Sequence, residues 1–442
     1  MRDHDRTGPP LHRPVAGKTL AQKILARASG RSEVAIGEVV VAQPDVFELI
    51  DLVLPQYFRT LQQHGVTTLR FPERCVVFAD HEVPSQTVRM ASLKKNLRQQ
   101  MQAYGMTTFY SEGRHGISHQ AIVEKGHITP GMLVLSADTH ATTLGCVGAL
   151  APPINYETVQ ALATGDIWLK VPQTIRVELV GRLPAHVLSR DLAQHVIATL
   201  GPELCDYRVI EYAGPAMANL DMDARMTLCN VAVEAGAKAG LVEPDALTDA
   251  YLRARAKQPY ELLTSDPDAD FHHRVTIDLA TIEPMVAAPP RPDNLVPIAS
   301  LAGKRVDQVY IGSCAGGRLE DLRAAAAVVR GRQVHAGVTM LVVPTSQEIF
   351  AAAAREGLLA VFAEAGALVL PPTCGPCYGN LAPLTDGDVC IGTATTNIPG
   401  RMGSASASIY LSNAAVAAAS GVAGSICTPQ RLPELSGAQA RP

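Results

Sequence analysis

The chain has 442 residues, of which 47% are hydrophobic and 18% are charged, and its formal net charge at pH 7 is −4. This length and composition are typical of a globular protein with two or three domains and large apolar cores. The small net charge and the absence of lysine or arginine runs argue against binding to nucleic acid or to a membrane surface.

The chain begins with a polar, proline-interrupted segment, MRDHDRTGPPLHRPVAGK, that lacks the apolar stretch of a secretory signal. We therefore expect residues 1–19 to be a disordered leader and the protein to be cytoplasmic. Short apolar runs then alternate with an amphipathic stretch, which indicates α/β architecture. The expected elements are strands CVVFAD (75–80) and MLVLSAD (132–138) and a helix over 92–105, within a first α/β domain over 20–172.

A new strand, TIRVELVG (174–181), indicates a second α/β domain over 173–290. The segment 283–300 contains five prolines and no periodicity, which predicts a boundary before a third α/β domain over 296–430. The apolar stretch 409–427 contains mainly Ala, Gly and Ser, which predicts a tightly packed buried helix and not a membrane span. The other elements expected in the third domain are strands at 305–312, 339–346 and 367–373 and helices at 319–331 and 346–357.

Four predicted strands end next to side chains that can take part in chemistry. His81 follows the first of them, Thr139 and His140 follow the second, and Cys314 and Cys374 follow two strands of the third domain. Ligands of open α/β sheets bind outside the carboxyl ends of the strands. We therefore expect loops from these four strand ends to form one crevice.

Nine cysteines are too few for a disulfide scaffold, and clustered cysteines in a cytoplasmic protein indicate metal binding or catalysis. Cys374 and Cys377 form a C-x-x-C motif, and Cys314 lies between a predicted strand and a predicted helix, where a thiolate is favoured. Three thiolates on two loops suit a [4Fe–4S] cluster with one iron not bound by protein. The other cysteines are expected to be packing residues: Cys75, Cys146, Cys205, Cys229, Cys390 and Cys427.

Two other interpretations of the cysteines stay open at this point. The C-x-x-C motif alone could be a redox pair of the thioredoxin type, although Cys314 would then have no function. A zinc site would need a fourth ligand, for which a histidine is available.

Six segments, taken together, resemble the aconitase superfamily, and within it the large subunits of 3-isopropylmalate dehydratase and homoaconitase. The resemblance covers roughly residues 75–428, nearly the whole chain. The most specific segments are GSCAGGR (312–318), PTCGPCYG (372–379) and GRMGS (400–404). The others are GISHQ (116–120), PGMLVLSADTHATTLGCVGALA (130–151) and ARMTLCNVAVEAGAKAGLV (224–242).

The resemblance implies three α/β domains around a central [4Fe–4S] cluster, with Cys314, Cys374 and Cys377 as its ligands. It also implies histidine–carboxylate pairs, because removing hydroxide and a proton from adjacent carbons requires an acid and a base in opposite protonation states. The catalytic residues implied in this way are Asp80, His81, His119, Asp138, His140 and Glu234. The substrate-binding residues implied are Thr139 and Arg401, and those of the cluster environment are Asn230 and Asn397.

The chain departs from the family pattern at several positions. The family commonly reads N-R-N-F-x-G-R up to the substrate arginine, whereas this chain reads TTNIPGR, so that Thr396 replaces a second arginine. Ala315 and Gly316 replace the usual Thr and Asn of the first cysteine motif, and Thr139 replaces the usual Ser. These changes bear on the substrate rather than on the fold, because they remove one clamp for a carboxylate.

The resemblance also implies a partner protein. Single-chain family members carry a swivelling domain after the third domain, and in two-subunit members that domain is a separate small subunit. The small subunit supplies a catalytic serine base and a substrate-selecting arginine. We expect the swivelling domain to be absent from this chain and a separate small subunit to be required, so no residue here is assigned as the base for the α-proton.

The expected activity is that of a hydro-lyase that dehydrates and rehydrates a small 2-hydroxy di- or tricarboxylic acid. The first expectation for the substrate is 3-isopropylmalate, in leucine biosynthesis. Because Thr396 replaces an arginine, another alkylmalate, homocitrate or methylcitrate is the alternative. From a different class, an iron–sulfur sensor without catalysis or a structural zinc protein would share these motifs, and neither nucleic acid nor a membrane is an expected partner.

Overall fold

The computed structural model describes residues 17–432. Residues 1–16 of the expected disordered leader lie outside the described residues. The expectation is wrong for residues 17–19, which are ordered, because the Lys18 N–H donates to the Asp266 carboxylate at 2.7 Å and the Thr19 side chain caps the first helix.

The first part of the chain forms a four-stranded sheet from strands β2 (Val46–Ile50), β3 (Cys75–Phe78), β4 (Thr108–Tyr110) and β5 (Val134–Ser136). The strand order is β4–β3–β2–β5 and all neighbours are parallel, so their carboxyl ends lie at one edge. An antiparallel pair is formed by β1 (Val39–Ala42) and β6 (Ile167–Lys170). The helices are α1 (Leu20–Ala28), α2 (Leu54–Gln63), α3 (Val88–Ala103), α4 (Ser118–Glu124) and α5 (Tyr156–Thr164).

A second parallel sheet follows, made of β7 (Thr174–Val180), β8 (Val209–Ala213), β9 (Ala239–Val242) and β10 (His273–Asp278). Its strand order is β10–β7–β8–β9. The helices of this part are α6 (Ser189–Cys205), α7 (Met222–Asn230) and α8 (Ala246–Arg253). Apolar side chains of the first and second sheets, such as Val134 and Ile175, belong to one buried cluster, so the two sheets share a core.

The third sheet has seven strands in the order β12–β11–β17–β16–β13–β14–β15, and its last five strands are parallel to one another. Its strands are β11 (Met285–Ala287), β12 (Leu295–Pro297), β13 (Gln308–Ile311), β14 (Thr339–Val342), β15 (Leu368–Val369), β16 (Val389–Gly392) and β17 (Ser408–Leu411). The helices are α9 (Leu319–Val329), α10 (Gln347–Arg355), α11 (Leu358–Glu364) and α12 (Ala414–Ala423).

The proline-rich segment 283–300 is not only a boundary. It contains β11 and β12, and β11 pairs with β17, so the backbone enters the third sheet before the predicted boundary at residue 290. Prolines are tolerated here because Pro284 precedes β11, three lie between the two strands, and Pro297 lies on an edge strand that needs no further donor.

The stretch 409–427 contains the buried helix that its composition predicts, but its first residues form strand β17 instead. Helix α12 packs against α9. On its side toward the sheet, a Cβ atom at Gly421 would lie 2.3 Å from Met340 Cε of β14, so the glycine permits the close approach of α12 to this strand. None of the helices among residues 17–432 is long and apolar enough to span a bilayer.

Candidate active site

The carboxyl-end loops of the first sheet hold a histidine between carboxylates. Asp80 and His81 follow β3, and His81 Nδ1–H donates to Asp80 Oδ1 at 2.7 Å. The Ser118 N–H, at the start of α4, donates to Asp80 Oδ2 at 2.8 Å. Asp51, which follows β2, accepts the backbone N–H groups of Asp80 and His81 at 3.3 and 3.1 Å. The Asp80–His81 pair is therefore fixed in orientation from two neighbouring loops.

Asp138, which follows β5, lies among three histidines. Its carboxylate oxygens lie 3.7 Å from His81 Nε2, 3.6 Å from His119 Nδ1 and 3.9 Å from His140 Nδ1. The His140 N–H also donates to Asp138 Oδ1 at 2.8 Å. The sequence paired Asp138 with His140, but in the structure this carboxylate is shared by all three rings.

The histidines around Asp138 differ in their proton affinity. Burial lowers the pKa of His81, but the negative charges of Asp80 and Asp138 outweigh it and raise the pKa to about 9. Burial lowers the pKa of His119 to about 4. Burial opposes ionisation of Asp138, yet the neighbouring histidines lower its pKa to about 2. At neutral pH the site therefore holds one imidazolium, one neutral imidazole and a carboxylate between them.

Glu48 is a site residue that the sequence interpretation missed. It lies inside β2, is fully buried, and its Oε1 lies 3.9 Å from His119 Nδ1. Burial raises the pKa of Glu48 to about 8, and the charge of Asp138 adds to the shift. An acidic residue within the apolar run VFELI is a signal that would have identified it, because buried carboxylates are rare without a function.

Glu48→Gln is expected to raise the melting temperature at pH 8 and to leave it nearly unchanged near pH 4. The folded-state pKa of about 8 exceeds the ordinary 4.5, so folding takes up a proton at Glu48 and stability falls as the pH rises between these values. Each pKa unit corresponds to about 1.4 kcal/mol. Thermal unfolding of the variant and the wild type across this pH range tests the prediction. The control is a substitution of an exposed residue, Glu203→Gln. A pH-independent difference would contradict the assignment.

A second histidine–carboxylate pair joins the first and second parts of the chain. His140 Nε2–H donates to Glu234 Oε1 at 2.9 Å. Asn230, at the end of α7, donates through Nδ2 to Thr143 Oγ1 at 2.8 Å and also interacts with the Cys314 side chain. Glu234 and Asn230 do not follow a strand, so the rule of strand ends could not have placed them.

The loop that carries Cys314 follows β13 and is held in an unusual backbone conformation. Ser313 has a left-handed φ of +67°, and its hydroxyl donates to the Thr393 carbonyl at 2.7 Å. At Gly316 a Cβ atom would lie 2.3 Å from Thr393 Cβ. Thr393 therefore leaves room only for glycine at this position of the first cysteine motif.

The loop that carries Cys374 and Cys377 follows β15 and is hydrogen-bonded to the first histidine loop. The Cys374 N–H donates to the Asp80 carbonyl at 2.8 Å, and the Tyr378 hydroxyl donates to the His81 carbonyl at 3.1 Å. The structure thus joins a cysteine pair from the third sheet to a histidine–carboxylate pair from the first sheet.

The spacing of the three site cysteines argues against a single zinc ion. All three are buried free thiols. Among residues 17–432, only Asp51, Asp80 and His81 bring three His, Cys or carboxylate ligand atoms within 4.8 Å of one another, so at least one pair of the three sulfurs lies farther apart than that. Sulfur ligands of one tetrahedral zinc lie about 3.8 Å apart. Wider spacing fits a cluster in which each thiolate binds a different iron.

Buried polar atoms without a protein partner concentrate around the cysteines and histidines. Within the described residues they include His119 Nε2, Asn230 Oδ1 and Arg401 Nε. Buried polar groups are otherwise almost always hydrogen-bonded. The residues present therefore fit a polar, metal-containing ligand set at this place.

The segment after β16 supplies the predicted substrate arginine. Arg401 Nη2–H donates to Cys377 Sγ at 3.9 Å, which places the guanidinium beside the cysteines.

Two neighbours of Arg401 in the same segment also have assigned contacts. Burial opposes ionisation of Glu234, but hydrogen bonds from His140 and Thr396 lower the pKa of Glu234. The Asn397 amide nitrogen donates to the carbonyls of residues 287 and 291, each at 3.3 Å, so it is directed toward β11.

Thr139 is exposed at the site, and the six cysteines outside it are buried, as expected for packing residues.

Arg318 is a second residue that the sequence interpretation missed. It is 1% exposed and donates to Gln120 Oε1 at 2.9 Å and to Thr227 Oγ1 at 2.8 Å. Its guanidinium therefore connects the Cys314 loop with α4 and α7.

Comparisons with known proteins identify the family of the chain. The model of the family described as "Aconitase family (aconitate hydratase)" matches residues 22–424. The large subunit 1 of 3-isopropylmalate dehydratase from Methanopyrus kandleri is 41% identical over 416 residues, which cover 94% of this chain and 99% of that protein. The large subunit of 3-isopropylmalate dehydratase from Aquifex aeolicus is 38% identical over 423 residues, covering 94% of this chain and 98% of the relative.

Among solved structures, aconitase X from Thermococcus kodakaraensis matches with 12% identity and a TM-score of 0.46, over 80% of this chain and 84% of that chain. The family match spans far more than half of the chain, and relatives near 40% identity align over nearly their whole length. On these findings, the chain belongs to the aconitase family.

Proposed function

We propose that the chain is the large, cluster-carrying subunit of a hydro-lyase that dehydrates and rehydrates a small 2-hydroxy acid, with 3-isopropylmalate as the substrate. The observation that carries the proposal is the hydrogen bond from the Cys374 N–H to the Asp80 carbonyl. It joins the loop that carries Cys374 and Cys377 to the Asp80–His81 pair, whose imidazole holds a proton at neutral pH. The names of the relatives from Methanopyrus kandleri and Aquifex aeolicus support the substrate and, with it, a role in leucine biosynthesis.

Cys314, Cys374 and Cys377 would hold a [4Fe–4S] cluster and leave one iron without a protein ligand. When bound, such an iron supplies Lewis acidity toward a hydroxyl group and an adjacent carboxylate. We propose that three α/β domains over 20–172, 173–290 and 296–430 surround the cluster. The sharing of one apolar core by Ala315 and side chains of the first two sheets supports this arrangement.

The residues of the chain divide the acid–base work according to their charge. His81, with a pKa of about 9, holds a proton that it can give to a departing hydroxide. Asp138 stabilises the resulting charges from a position between His81 and His119. His140 is oriented by Glu234, and Arg401 is the cation suited to a substrate carboxylate.

We propose that a separate small subunit completes the site. The relatives are named large subunits, which implies a small one. Its swivelling domain would bring a serine that removes the α-proton. Thr139, which is exposed beside the buried His140, lies where substrate and partner would both approach.

The test is an anaerobic assay of the reconstituted chain with its candidate small subunit on a panel of 2-hydroxy acids. Absorbance of the new conjugated double bond reports dehydration. We expect turnover of 3-isopropylmalate only when both proteins are present. Turnover of another alkylmalate, homocitrate or methylcitrate instead would favour the alternative that Thr396 suggests. A loaded cluster without any turnover would favour an iron–sulfur sensor.

A further inference from the structure

Lys94 is the only buried lysine among residues 17–432, with 5% of its side chain exposed. It lies on α3, the helix that follows the loop carrying His81. Lysine is almost never fully buried unless its charge is paired, because its ammonium group is strongly hydrated in water. The partners of Lys94 therefore indicate what this buried charge does.

The Lys94 ammonium group has three partners. It donates to the Glu82 carbonyl and, at 2.9 Å, to Glu112 Oε1. Its Nζ also lies 3.9 Å from Asp51 Oδ2. Glu112 is exposed and has a second cation, Arg98, at 3.1 Å. Asp51 is buried, and Lys94 is the only lysine or arginine of the described residues that forms an ion pair with it.

Asp51 and Lys94 together hold the backbone of the His81 loop. Asp51 Oδ1 accepts the N–H groups of Asp80 and His81, and Asp51 Oδ2 accepts the N–H of Glu82 at 3.3 Å. Lys94 donates to the carbonyl of the same Glu82. One buried ion pair thus fixes three consecutive N–H groups and the carbonyl that follows them.

The charges around His81 balance only when Lys94 is counted. Asp51 and Asp80 are both buried, and one ligand atom of each lies within 4.8 Å of the other and of a His81 ring nitrogen. The protonated ring of His81 compensates one of these two carboxylates. A buried carboxylate without a cation is strongly destabilising, so the second needs another positive charge. Lys94 supplies it.

Asp51 is the carboxyl group most sensitive to this balance. Burial and the charge of Asp80 raise the pKa of Asp51 to about 6, while His81 and Lys94 oppose the shift. An opposite charge at this distance lowers the pKa of a carboxyl group by about 1–3 units. Without Lys94, Asp51 would therefore hold a proton at neutral pH. The titratable groups that face Lys94 and Asp51 are Asp80, His81, Glu82, Glu112, His115 and Tyr378.

We infer that Lys94 is a positioning residue for His81, whose ammonium group keeps Asp51 ionised so that Asp51 holds residues 80–82 in place. The inference deepens the proposed function and rests on it, because His81 is the proposed proton donor. A protonated Asp51 would accept the three N–H groups less strongly, since hydrogen bonds to an ionised acceptor are the stronger ones. It would also no longer contribute to the raised pKa of His81.

The test compares Lys94→Met with the wild type, as the loaded chain with its candidate small subunit, across acidic and alkaline pH. The acid limb of the wild-type pH–rate profile should lie near pH 6, where Asp51 loses its charge. In Lys94→Met this limb should move up by about 1–3 units, so that kcat at pH 7 falls about 10-fold and recovers as the pH rises. KM should stay nearly unchanged, because Lys94 acts through Asp51 and not on the substrate.

Two matched variants control for the loss of the side chain. Lys94→Arg keeps the positive charge and should keep the acid limb near its wild-type position. Lys95→Met changes the exposed neighbour on α3 and should leave kcat, KM and the pH profile unchanged. The alkaline limb, which reports His81, should not move down in any of these variants, because Asp51 is ionised at alkaline pH even without Lys94.

A second measurement does not depend on activity. The double variant Lys94→Met/Asp51→Asn contains neither charge of the pair, and asparagine keeps a carbonyl oxygen as acceptor. At pH 7 the metal-free double variant should melt at a higher temperature than metal-free Lys94→Met, in which a buried carboxyl group lacks its cation. If Lys94→Met does not fold, recovery of folding in the double variant is the corresponding result.

Three outcomes would overturn the inference: an unmoved acid limb in Lys94→Met, the same shift in Lys94→Arg, or a double variant that melts no higher than the single one. Failure of the proposed function would look different. A wild-type chain that takes up iron and sulfide but turns over none of the acids would refute that function, while the melting temperatures would still decide whether Lys94 and Asp51 act as an ion pair.

Discussion

Cys374→Ala is expected to prevent retention of the cluster and to lower turnover of the loaded enzyme by a factor on the order of 10³ or more. The cysteine provides one of only three protein thiolates proposed for the cluster, and its backbone N–H joins the cysteine loop to Asp80. Alanine keeps that backbone contact and removes only the sulfur. The loss of iron and acid-labile sulfide, with the loss of visible absorbance, would measure the effect directly.

The control for this variant is Cys427→Ala. Cys427 is also buried, but it packs with Ala419 and Leu432 in an apolar cluster apart from the site. We expect it to retain iron, sulfide and activity at wild-type levels, with a small decrease in melting temperature. If Cys374→Ala kept a full complement of iron and sulfide, the assignment of the ligands would be wrong.

Asp138→Asn is expected to lower kcat by a factor on the order of 10²–10⁴, the usual contribution of general acid–base catalysis. Asp138 is the carboxylate within 4 Å of His81, His119 and His140, and its charge is one cause of the raised pKa of His81. With the neutral amide, His81 should lose its proton at a lower pH. The alkaline limb of the pH–rate profile should therefore move down from its wild-type position near pH 9.

Two measurements separate this role from a structural one. The exposed Asp270→Asn should leave kcat and the pH profile unchanged, and Asp138→Asn should retain its iron and sulfide. A variant with a lower kcat but an unmoved alkaline limb would contradict the assignment of His81 as the proton donor that Asp138 supports.

Local chain properties were sufficient to predict the elements that carry most of the site. Strands near 75–80, 132–138, 305–312 and 367–373 all exist, although each is shorter than its apolar run. Each run ends in a loop at the carboxyl edge of a parallel sheet, so the polar residue that follows the run is placed there by the topology alone. For this reason the positions of His81, Asp138, Cys314 and Cys374 could be read from the sequence.

Contacts between distant segments could not be predicted in this way. The bond from His140 to Glu234 spans 94 positions in the chain, and that from Cys374 to Asp80 nearly three hundred. The β11 strand was missed because its proline-rich surroundings indicate a linker, whereas its partner β17 lies more than a hundred residues further along. Such pairings depend on how whole sheets pack and not on local propensity.

The sequence by itself determined the α/β class, the choice of three candidate cysteines and the family. These rest on motifs and apolar runs, which are local features of the chain. Only the tertiary structure decided which carboxylate serves which histidine, because burial and neighbouring charges set proton affinity. It also revealed Glu48, which looks like an ordinary polar residue of its strand. Its raised pKa arises from desolvation, which no single segment can produce alone.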